Sequence, residues 1–187
     1  MTKRLFDILF SFILIIIFLL PMLIISLIIL FSSGNPILFW SKRIGKNCKT
    51  FLMPKFRTMK QDTPDVATHK LISSQKHITK IGMFIRKYSL DELPQFYSVL
   101  VGKMSIIGPR PALFNQYDLI NLRKKRGINK LLPGITGWAQ VNGRDNLLIN
   151  EKVKLEEFYI QNKDLLLDFK IIVYTILKVL KKTGVSH

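Results

Sequence analysis

Two adjacent carboxylates, those of Asp91 and Glu92, are the groups of this chain best placed for chemistry on a phosphate. They lie in Tyr88–Gln95 (YSLDELPQ), where Ser89 and Glu92 match the capping-box pattern of a helix start. If Asp91 is the N-cap residue instead, Pro94 falls in the first helical turn, where its missing N–H costs nothing. Both alternatives place the carboxylates at a helix N-terminus, which attracts phosphate and favours the ionised form of Asp91. An ionised aspartate can attack phosphorus as a covalent nucleophile, and the two carboxylates need not share a role: one could attack while the other binds a metal ion or handles a proton.

A conformationally restricted arginine follows downstream. Arg110 lies in Gly108–Pro111 (GPRP), where a proline on each side restricts the backbone. Because a guanidinium fork matches phosphate oxygens, Arg110 is predicted to bind phosphate; a rigid loop with a solvated arginine is the alternative. Three further basic residues are candidates for the same role: Lys55, Arg57 and Arg86.

A glycine-rich segment, Pro133–Arg144 (PGITGWAQVNGR), offers additional polar groups. Its hydrogen-bonding side chains are those of Gln140, Asn142 and Arg144. Since glycine lets the backbone approach a ligand closely, the segment is predicted to contribute to substrate binding. The alternative is a structural loop in which Trp138 fills the core. The glycine and proline content of its first half predicts no regular secondary structure there.

These motifs, in this order, resemble the monotopic phosphoglycosyl transferases, the bacterial sugar transferases that start glycans on a polyprenyl phosphate carrier. The resemblance covers nearly the whole chain. It rests on five segments: Lys3–Asp7 (KRLFD), Lys55–Met59 (KFRTM), Ser89–Gln95 (SLDELPQ), Gly108–Pro111 and Pro133–Arg144.

The resemblance implies a two-step reaction that begins the assembly of a surface glycan or a glycoprotein glycan. Asp91 attacks the sugar-linked phosphorus of a UDP-sugar and releases UMP, and polyprenyl phosphate then takes the phosphosugar from the enzyme. Mg²⁺ is the implied cofactor, held by Asp91 and Glu92. Arg110 is the implied phosphate ligand, with Arg86 and Lys55 near the active site.

The resemblance also implies partners and a location. The partners are a UDP-sugar, polyprenyl (undecaprenyl) phosphate, membrane lipids and downstream glycosyltransferases, and nucleic acid is not among them. The location is the inner, cytoplasmic membrane of a bacterium, with the catalytic domain facing the cytoplasm.

An uncharged apolar run, Ile8–Phe31, indicates how the chain meets the membrane. A straight helix of this length reaches about 36 Å, enough to span a bilayer. Pro21 removes one backbone hydrogen bond and divides the run into arms of about 20 and 15 Å, each too short to span alone. Basic residues flank both ends, and positive charge prefers the cytoplasmic side. The residues themselves leave a straight span and a bend at Pro21 both open, whereas the resemblance implies a re-entrant helix.

Composition excludes several classes of protein. The chain has 187 residues, a net charge of +17 and 48% hydrophobic residues, too apolar for a disordered tail. Its single cysteine excludes an intrachain disulfide and a multi-cysteine zinc site. The basic excess predicts anionic partners, so the alternative function is a non-catalytic, membrane-tethered basic module that binds anionic lipid or nucleic acid. The aromatic residues, however, form no stacking stripe typical of a single-strand binder.

The predicted fold is mainly α with a short β-hairpin. A re-entrant membrane helix occupies residues 1–33, and residues 34–187 form a cytosol-facing α/β catalytic domain with interfacial amphipathic helices. Strands Ile37–Trp40 and Phe51–Met53 are expected to form the hairpin, and the polar stretch up to Gln75 is expected to be a surface loop. The last expected helix lies either in the membrane interface or in the core. The expected helices are Ile78–Tyr88, Gln95–Leu100, Ala112–Arg126, Val153–Gln161 and Leu165–Leu180.

Overall fold

A computed structural model describes residues 2–61, 63, 77–143 and 147–181 of the chain. Within these ranges the protein is mostly helical and has two pairs of short strands, which confirms the predicted class. The expected surface loop up to Gln75 lies largely outside the described residues. The helices are α1 (Thr2–Ser33), α2 (Lys80–Lys87), α3 (Gln95–Leu100), α4 (Tyr117–Lys125), α5 (Trp138–Val141), α6 (Ile149–Asn162) and α7 (Leu165–Lys181). The strands are β1 (Leu38–Ile44), β2 (Thr50–Phe56), β3 (Ser105–Ile107) and β4 (Gly134–Thr136).

Helix α1 continues through Pro21 and is the one helix of the described residues that is long and apolar enough to cross a membrane. Both of its ends pack against the rest of the chain. Near the N-terminus the Lys3 ammonium lies 2.6 Å from the Asp168 carboxylate of α7, and near the C-terminus Ile25 and Ile29 are buried. The apolar side chains between these anchored ends are largely exposed, among them Ile13, Ile16, Ile17, Leu20 and Leu23.

The predicted hairpin is present and is longer than the apolar runs indicated. Every residue of Leu38–Ile44 has an antiparallel partner in Thr50–Phe56. Ser41 and Met53 face each other across the ladder and are buried, so this is the inner face of the hairpin. Lys55 lies two residues beyond Met53 and therefore presents its side chain on the same face.

The expectation of irregular structure at the start of the glycine-rich segment is wrong. Gly134–Thr136 forms β4, which pairs in parallel with β3. The glycines allow the two chains to approach unusually closely, since a Cβ on Gly134 would lie 2.1 Å from the backbone nitrogen of Gly108. Here glycine marks a close strand contact rather than a flexible loop.

The helix expected over Ala112–Arg126 begins later, at Tyr117. The residues before it belong to the edge of the hairpin: the Ala112 carbonyl accepts from the N–H of Ile44 at 2.9 Å, and Leu113 forms an antiparallel bridge to β1. These tertiary hydrogen bonds override local helix propensity.

Helix α7 confirms the expected C-terminal helix. Ile171 is buried in a core cluster with Met104 and Ile107, so one face of α7 packs on the domain. Its exposed side is strongly apolar, as expected of a helix in a membrane interface. The exposed side chains include Leu165, Leu166, Phe169, Ile176, Leu177 and Leu180.

Candidate functional site

The two carboxylates lie in a tight turn that precedes α3 rather than at the helix start. Ser89 has a left-handed backbone (φ 55°) and donates or accepts no capping hydrogen bond through its side chain, and Leu90–Glu92 forms a single 3₁₀ turn. Helix α3 begins at Gln95, after Pro94. Both capping predictions are therefore wrong. The Glu92 carboxylate, which a capping box would direct back to the N-cap backbone, instead binds two cations from elsewhere in the chain.

Four charged side chains meet at this turn. The Lys55 ammonium lies 3.0 Å from Glu92 Oε1 and 3.9 Å from Asp91 Oδ2. Both terminal nitrogens of the Arg110 guanidinium donate to the Glu92 carboxylate, Nη2 to Oε1 and Nη1 to Oε2 at 3.3 Å. The side chains of Lys55, Asp91 and Glu92 are only 15%, 12% and 11% exposed, and that of Arg110 is 28% exposed. The structure thus brings the predicted dyad together with two of its predicted basic partners.

Burial dominates the electrostatics of the pair formed by Lys55 and Asp91. Burial raises the pKa of the Asp91 carboxyl above its ordinary value, and the Lys55 ammonium opposes that rise. Burial also lowers the pKa of Lys55, opposed by the charge of Glu92. The expectation that a helix start favours the ionised form of Asp91 is therefore wrong. What favours the carboxylate here is the surrounding cations.

Arg110 is held by a backbone with little freedom. Gly108 donates its N–H to Thr136 at 2.9 Å, and Pro109 accepts from the N–H of Gly134 at 2.9 Å. A Cβ on Gly108 would lie 2.5 Å from the carbonyl oxygen of Leu132, so only glycine fits. The loop therefore leaves β3 in a fixed direction and carries Arg110 to the dyad.

The polar residues of the glycine-rich segment separate into different environments. Gln140 is buried and lines an apolar cleft together with Glu92 and Arg110, and among the described residues neither its Oε1 nor its Nε2 has a hydrogen-bond partner. Asn142 is exposed and donates to the Trp138 carbonyl at 2.7 Å. Arg144 lies outside the described residues. Of the three predicted ligands, Gln140 is the one that the structure places at the site.

The remaining basic candidates also differ. Arg86 is close enough for its charge to lower the pKa of Asp91 against the effect of burial. Arg57 is buried and donates to the carbonyls of Ser33, Gly34 and Asn35 at 2.6, 2.6 and 3.0 Å. Its guanidinium caps the end of α1 and is not part of the cluster around the dyad.

An apolar cleft of about 480 Å³ opens beside the charged cluster. One wall comes from α1, through Phe10, Leu14 and Phe18, and the other from α7, through Ile172 and Ile176. Glu92, Arg110 and Gln140 also line the cleft and bring it next to the charged cluster. Sequence reasoning missed both walls, because α1 is apolar on every side and periodicity singles out no face of it.

The candidate metal ligands at this site are the carboxylates of Asp91 and Glu92. No group of three or more His, Cys, Asp or Glu side chains within the described residues has the spacing to hold a metal. Mg²⁺ is commonly bound by one or two carboxylates and completes its shell with substrate phosphates and water. Asp91 and Glu92 offer ligands of this type, and Glu92 is bound by Lys55 and Arg110.

Known proteins resemble this chain over most of its length. The bacterial sugar transferase family matches residues 1–182. Galactosyl transferase CpsE of Streptococcus agalactiae serotype III (strain NEM316) is 41% identical over 165 residues, which cover 82% of this chain and 36% of CpsE. Uncharacterized sugar transferase EpsL of Bacillus subtilis (strain 168) is 38% identical over 169 residues, covering 87% and 82%. UDP-glucose:undecaprenyl-phosphate glucose-1-phosphate transferase of Escherichia coli (strain K12) is 41% identical over 163 residues, covering 82% and 35%. The chain thus spans about a third of CpsE and of the E. coli protein, and most of EpsL.

Proposed function

Because the chain belongs to the bacterial sugar transferase family, we propose that it transfers a sugar phosphate from a UDP-sugar to polyprenyl phosphate and releases UMP. The names of relatives from E. coli and Xanthomonas campestris specify UDP-glucose and undecaprenyl phosphate, so these are the substrates to test first. The product is a polyprenyl diphosphate sugar on which polysaccharide assembly can continue, and downstream glycosyltransferases are the expected consumers.

One observation carries this proposal: a buried cluster of two carboxylates and two cations adjoins an apolar cleft, which its members Glu92 and Arg110 line. A phosphosugar donor needs a nucleophile and positive charge at one point. A polyprenyl acceptor needs an apolar surface that ends at the same point. A basic module that merely binds anionic surfaces needs neither a buried dyad nor such a cleft.

In the first step an oxygen of Asp91 attacks the sugar-linked phosphorus of the donor. A bond from Asp91 to phosphorus forms, the bond from phosphorus to the bridging oxygen breaks, and UMP leaves with that oxygen. In the second step a phosphate oxygen of the polyprenyl carrier attacks the same phosphorus. The Asp91 carboxylate is then released, and the diphosphate product forms. Two easier displacements replace a single difficult one.

Positive charge in the cluster serves these steps by stabilising the negative oxygens around phosphorus. Lys55 lies between the two carboxylates and favours the ionised, nucleophilic form of Asp91. The forked guanidinium of Arg110 holds Glu92 in the absence of substrate and has the geometry to hold a phosphate instead. A Mg²⁺ ion, held by Asp91 and Glu92, would supply further charge neutralisation to the donor diphosphate.

The cleft between α1 and α7 is the proposed site of the isoprenoid chain. Its walls are apolar, and the exposed sides of both helices are apolar too. A lipid tail in the cleft would place its phosphate beside Arg110 and Gln140. The lipid phosphate would then accept a hydrogen bond from the Gln140 amide, which has no partner among the described residues. This removes the free-energy cost of an unpaired buried polar group.

We propose that α1 is re-entrant, with the catalytic domain facing the cytoplasm of a bacterium. The support is that both ends of the helix pack on one body: Lys3 contacts Asp168, while Ile25 and Ile29 are buried in a cluster with Phe56. A domain on one side of a bilayer reaches both ends only if both lie on that side. Basic residues at both ends agree with the cytoplasmic side.

A single-turnover assay tests the function. Purified enzyme, Mg²⁺ and UDP-glucose, without lipid, should release about one UMP per active site and gain the mass of a phosphosugar on the peptide that contains Asp91. Asp91→Asn should abolish both signals, because an amide is a poor nucleophile. A panel of other UDP-sugars identifies the donor if UDP-glucose is inert.

Two outcomes contradict parts of the proposal. Release of UMP only when polyprenyl phosphate is present, with no adduct, would replace the covalent route by direct attack of the lipid. Failure of every UDP-sugar with polyprenyl phosphate present would contradict the transferase function itself. Asp118→Asn, an exposed aspartate at the start of α4, is the matched control and should behave as wild type.

A further inference from the structure

Helix α1 carries a buried carboxylate that the transfer reaction does not use. Asp7 is 2% exposed, and its Oδ1 accepts hydrogen bonds from Ser105 Oγ and from the backbone N–H of Ile106, each at 3.0 Å. Both donors are themselves buried. A buried carboxylate is costly unless it is well hydrogen-bonded, so this contact is specific rather than incidental.

The contact fixes the free edge of β3. On the other edge, β3 pairs with β4, and the N–H groups of Ser105 and Gly108 donate to Pro133 and Thr136. The N–H of Ile106 points the opposite way, where a further strand would normally accept it. Asp7 takes the place of that strand. Four residues after Ile106 the chain reaches Arg110.

One helical turn earlier, Arg4 makes a comparable contact with the other half of the site. Its Nη1 donates to the Val99 carbonyl at 2.6 Å and its Nη2 to the Leu100 carbonyl at 2.7 Å. These are terminal carbonyls of α3, which lack partners within the helix. Helix α3 follows directly on the turn that contains Asp91 and Glu92.

We propose that Arg4 and Asp7 are positioning residues, which set the placement of Arg110 relative to the Asp91–Glu92 turn. One turn of α1 holds the strand that leads to Arg110 and the helix that follows the dyad. Helix α1 therefore fixes the two halves of the site relative to each other, in addition to attaching the chain to the membrane. The activity measurements that test this proposal rest on the proposed transferase function, whereas the hydrogen-exchange measurement does not.

The rival explanation is that these contacts merely stabilise the fold, or that Arg4 only supplies positive charge for membrane orientation. Four variants separate the explanations. Asp7→Ala removes the acceptor, Asp7→Asn keeps an oxygen acceptor without the charge, and Ser105→Ala removes one donor while leaving the N–H of Ile106 bonded. Arg4→Lys keeps the charge but not the two-pronged grip on α3.

The first measurement is the rate of UMP release without lipid. A displacement of about 1 Å at a site can cost about 100-fold in rate, and we expect a loss of that order for Asp7→Ala, with Asp7→Asn retaining most of the activity. Ser105→Ala and Arg4→Lys should each lose about tenfold, and Ser105→Ala should lower the unfolding temperature less than Asp7→Ala does, because Asp7 keeps the N–H of Ile106 as a donor. The control Asp118→Ala should match wild type.

A double-mutant cycle identifies positioning. In an Arg110→Lys background the forked geometry is already lost, so Asp7→Ala should change the remaining rate by less than about threefold. A loss as large as in the wild-type background would mean that Asp7 acts independently of Arg110, and would overturn the proposal.

Backbone amide hydrogen exchange tests the contact without any activity measurement. If Asp7→Ala is destabilised, Ser105→Ala can be measured in the same way. Exchange at Ile106 and through Gly108–Arg110 should accelerate strongly in Asp7→Ala, and less in Ser105→Ala where Asp7 still accepts from the N–H of Ile106, relative to α4 of the same molecule. Unchanged exchange in this segment would overturn the proposal even in a fully active enzyme. Accelerated exchange in these variants, together with a wild-type enzyme that releases UMP from no UDP-sugar even when polyprenyl phosphate is present, would leave the contact standing and contradict the transferase function.

Discussion

Arg110 and Glu92, eighteen residues apart, meet in a two-pronged ion pair in which each prong of the guanidinium reaches the carboxylate. Both side chains belong to segments with little backbone freedom: a 3₁₀ turn ending before Pro94, and a loop flanked by two prolines. The pair aligns the guanidinium before any substrate arrives. A diphosphate would then bind to the planar, two-donor guanidinium of Arg110, a geometry that a point charge of the same sign does not provide.

Arg110→Lys keeps the charge and loses the fork. We expect kcat for UMP release to fall about 100-fold, as is typical when a charge-stabilising donor is removed, with the fold retained. Arg126→Lys is the matched control, because Arg126 makes a similar pair with Glu157 on the surface, where it is 53% exposed. Near-normal turnover by Arg110→Lys would show that a point charge suffices.

Lys55→Met should move the acidic limb of the pH–rate profile to higher pH. The ammonium lowers the pKa of Asp91 against the effect of burial, so its loss raises that pKa further and leaves less nucleophilic carboxylate at a given pH. The measurement is the initial rate of UMP release as a function of pH. Lys55→Arg keeps a positive charge and should leave the limb nearer to its wild-type position. An unmoved limb in Lys55→Met would exclude Asp91 as the group that titrates.

Gln140→Met should stabilise the protein while weakening substrate binding. Both amide atoms of Gln140 are buried without partners, a cost of about 1–3 kcal/mol that an apolar side chain does not incur. We therefore expect a higher unfolding temperature together with a raised KM for one of the two substrates. Gln116→Met should have the opposite effect on stability, because the Gln116 Oε1 accepts from the N–H of Leu113 at 2.9 Å. Lower stability of Gln140→Met with an unchanged KM would indicate a structural amide.

The orientation of α1 can be read by cysteine labelling. In a Cys48→Ser background, which removes the native cysteine, Thr2→Cys and Ser32→Cys report on the two ends of the helix. A re-entrant helix predicts that an impermeant reagent labels neither position in intact cells and both after the cells are opened. Pro21→Ala should favour a spanning helix, because it restores the missing backbone hydrogen bond. Labelling at residue 2 in intact cells of the parent background would contradict the re-entrant arrangement.

The sequence indicated the dyad, Arg110 and Lys55 because each is carried by a short motif whose chemistry is local. It could not indicate β4, since a strand built on close contact between glycines has the composition of a loop. The role of Arg57 could not be predicted from the sequence either. Its guanidinium caps α1 by binding the carbonyl of a residue 24 positions earlier, a contact that only the folded chain creates. Tertiary hydrogen bonds of this kind leave no periodic trace in sequence.

The cleft between α1 and α7 opens along the same apolar faces that would meet the acyl chains of the bilayer. On the proposed function, the acceptor reaches the dyad by lateral diffusion and never enters water. Its effective concentration is therefore a mole fraction in the lipid phase, and diluting the carrier with inert lipid at constant bulk molarity should slow the second displacement but not the first. The soluble donor obeys ordinary volume concentrations. One enzyme thus couples a three-dimensional encounter to a two-dimensional one.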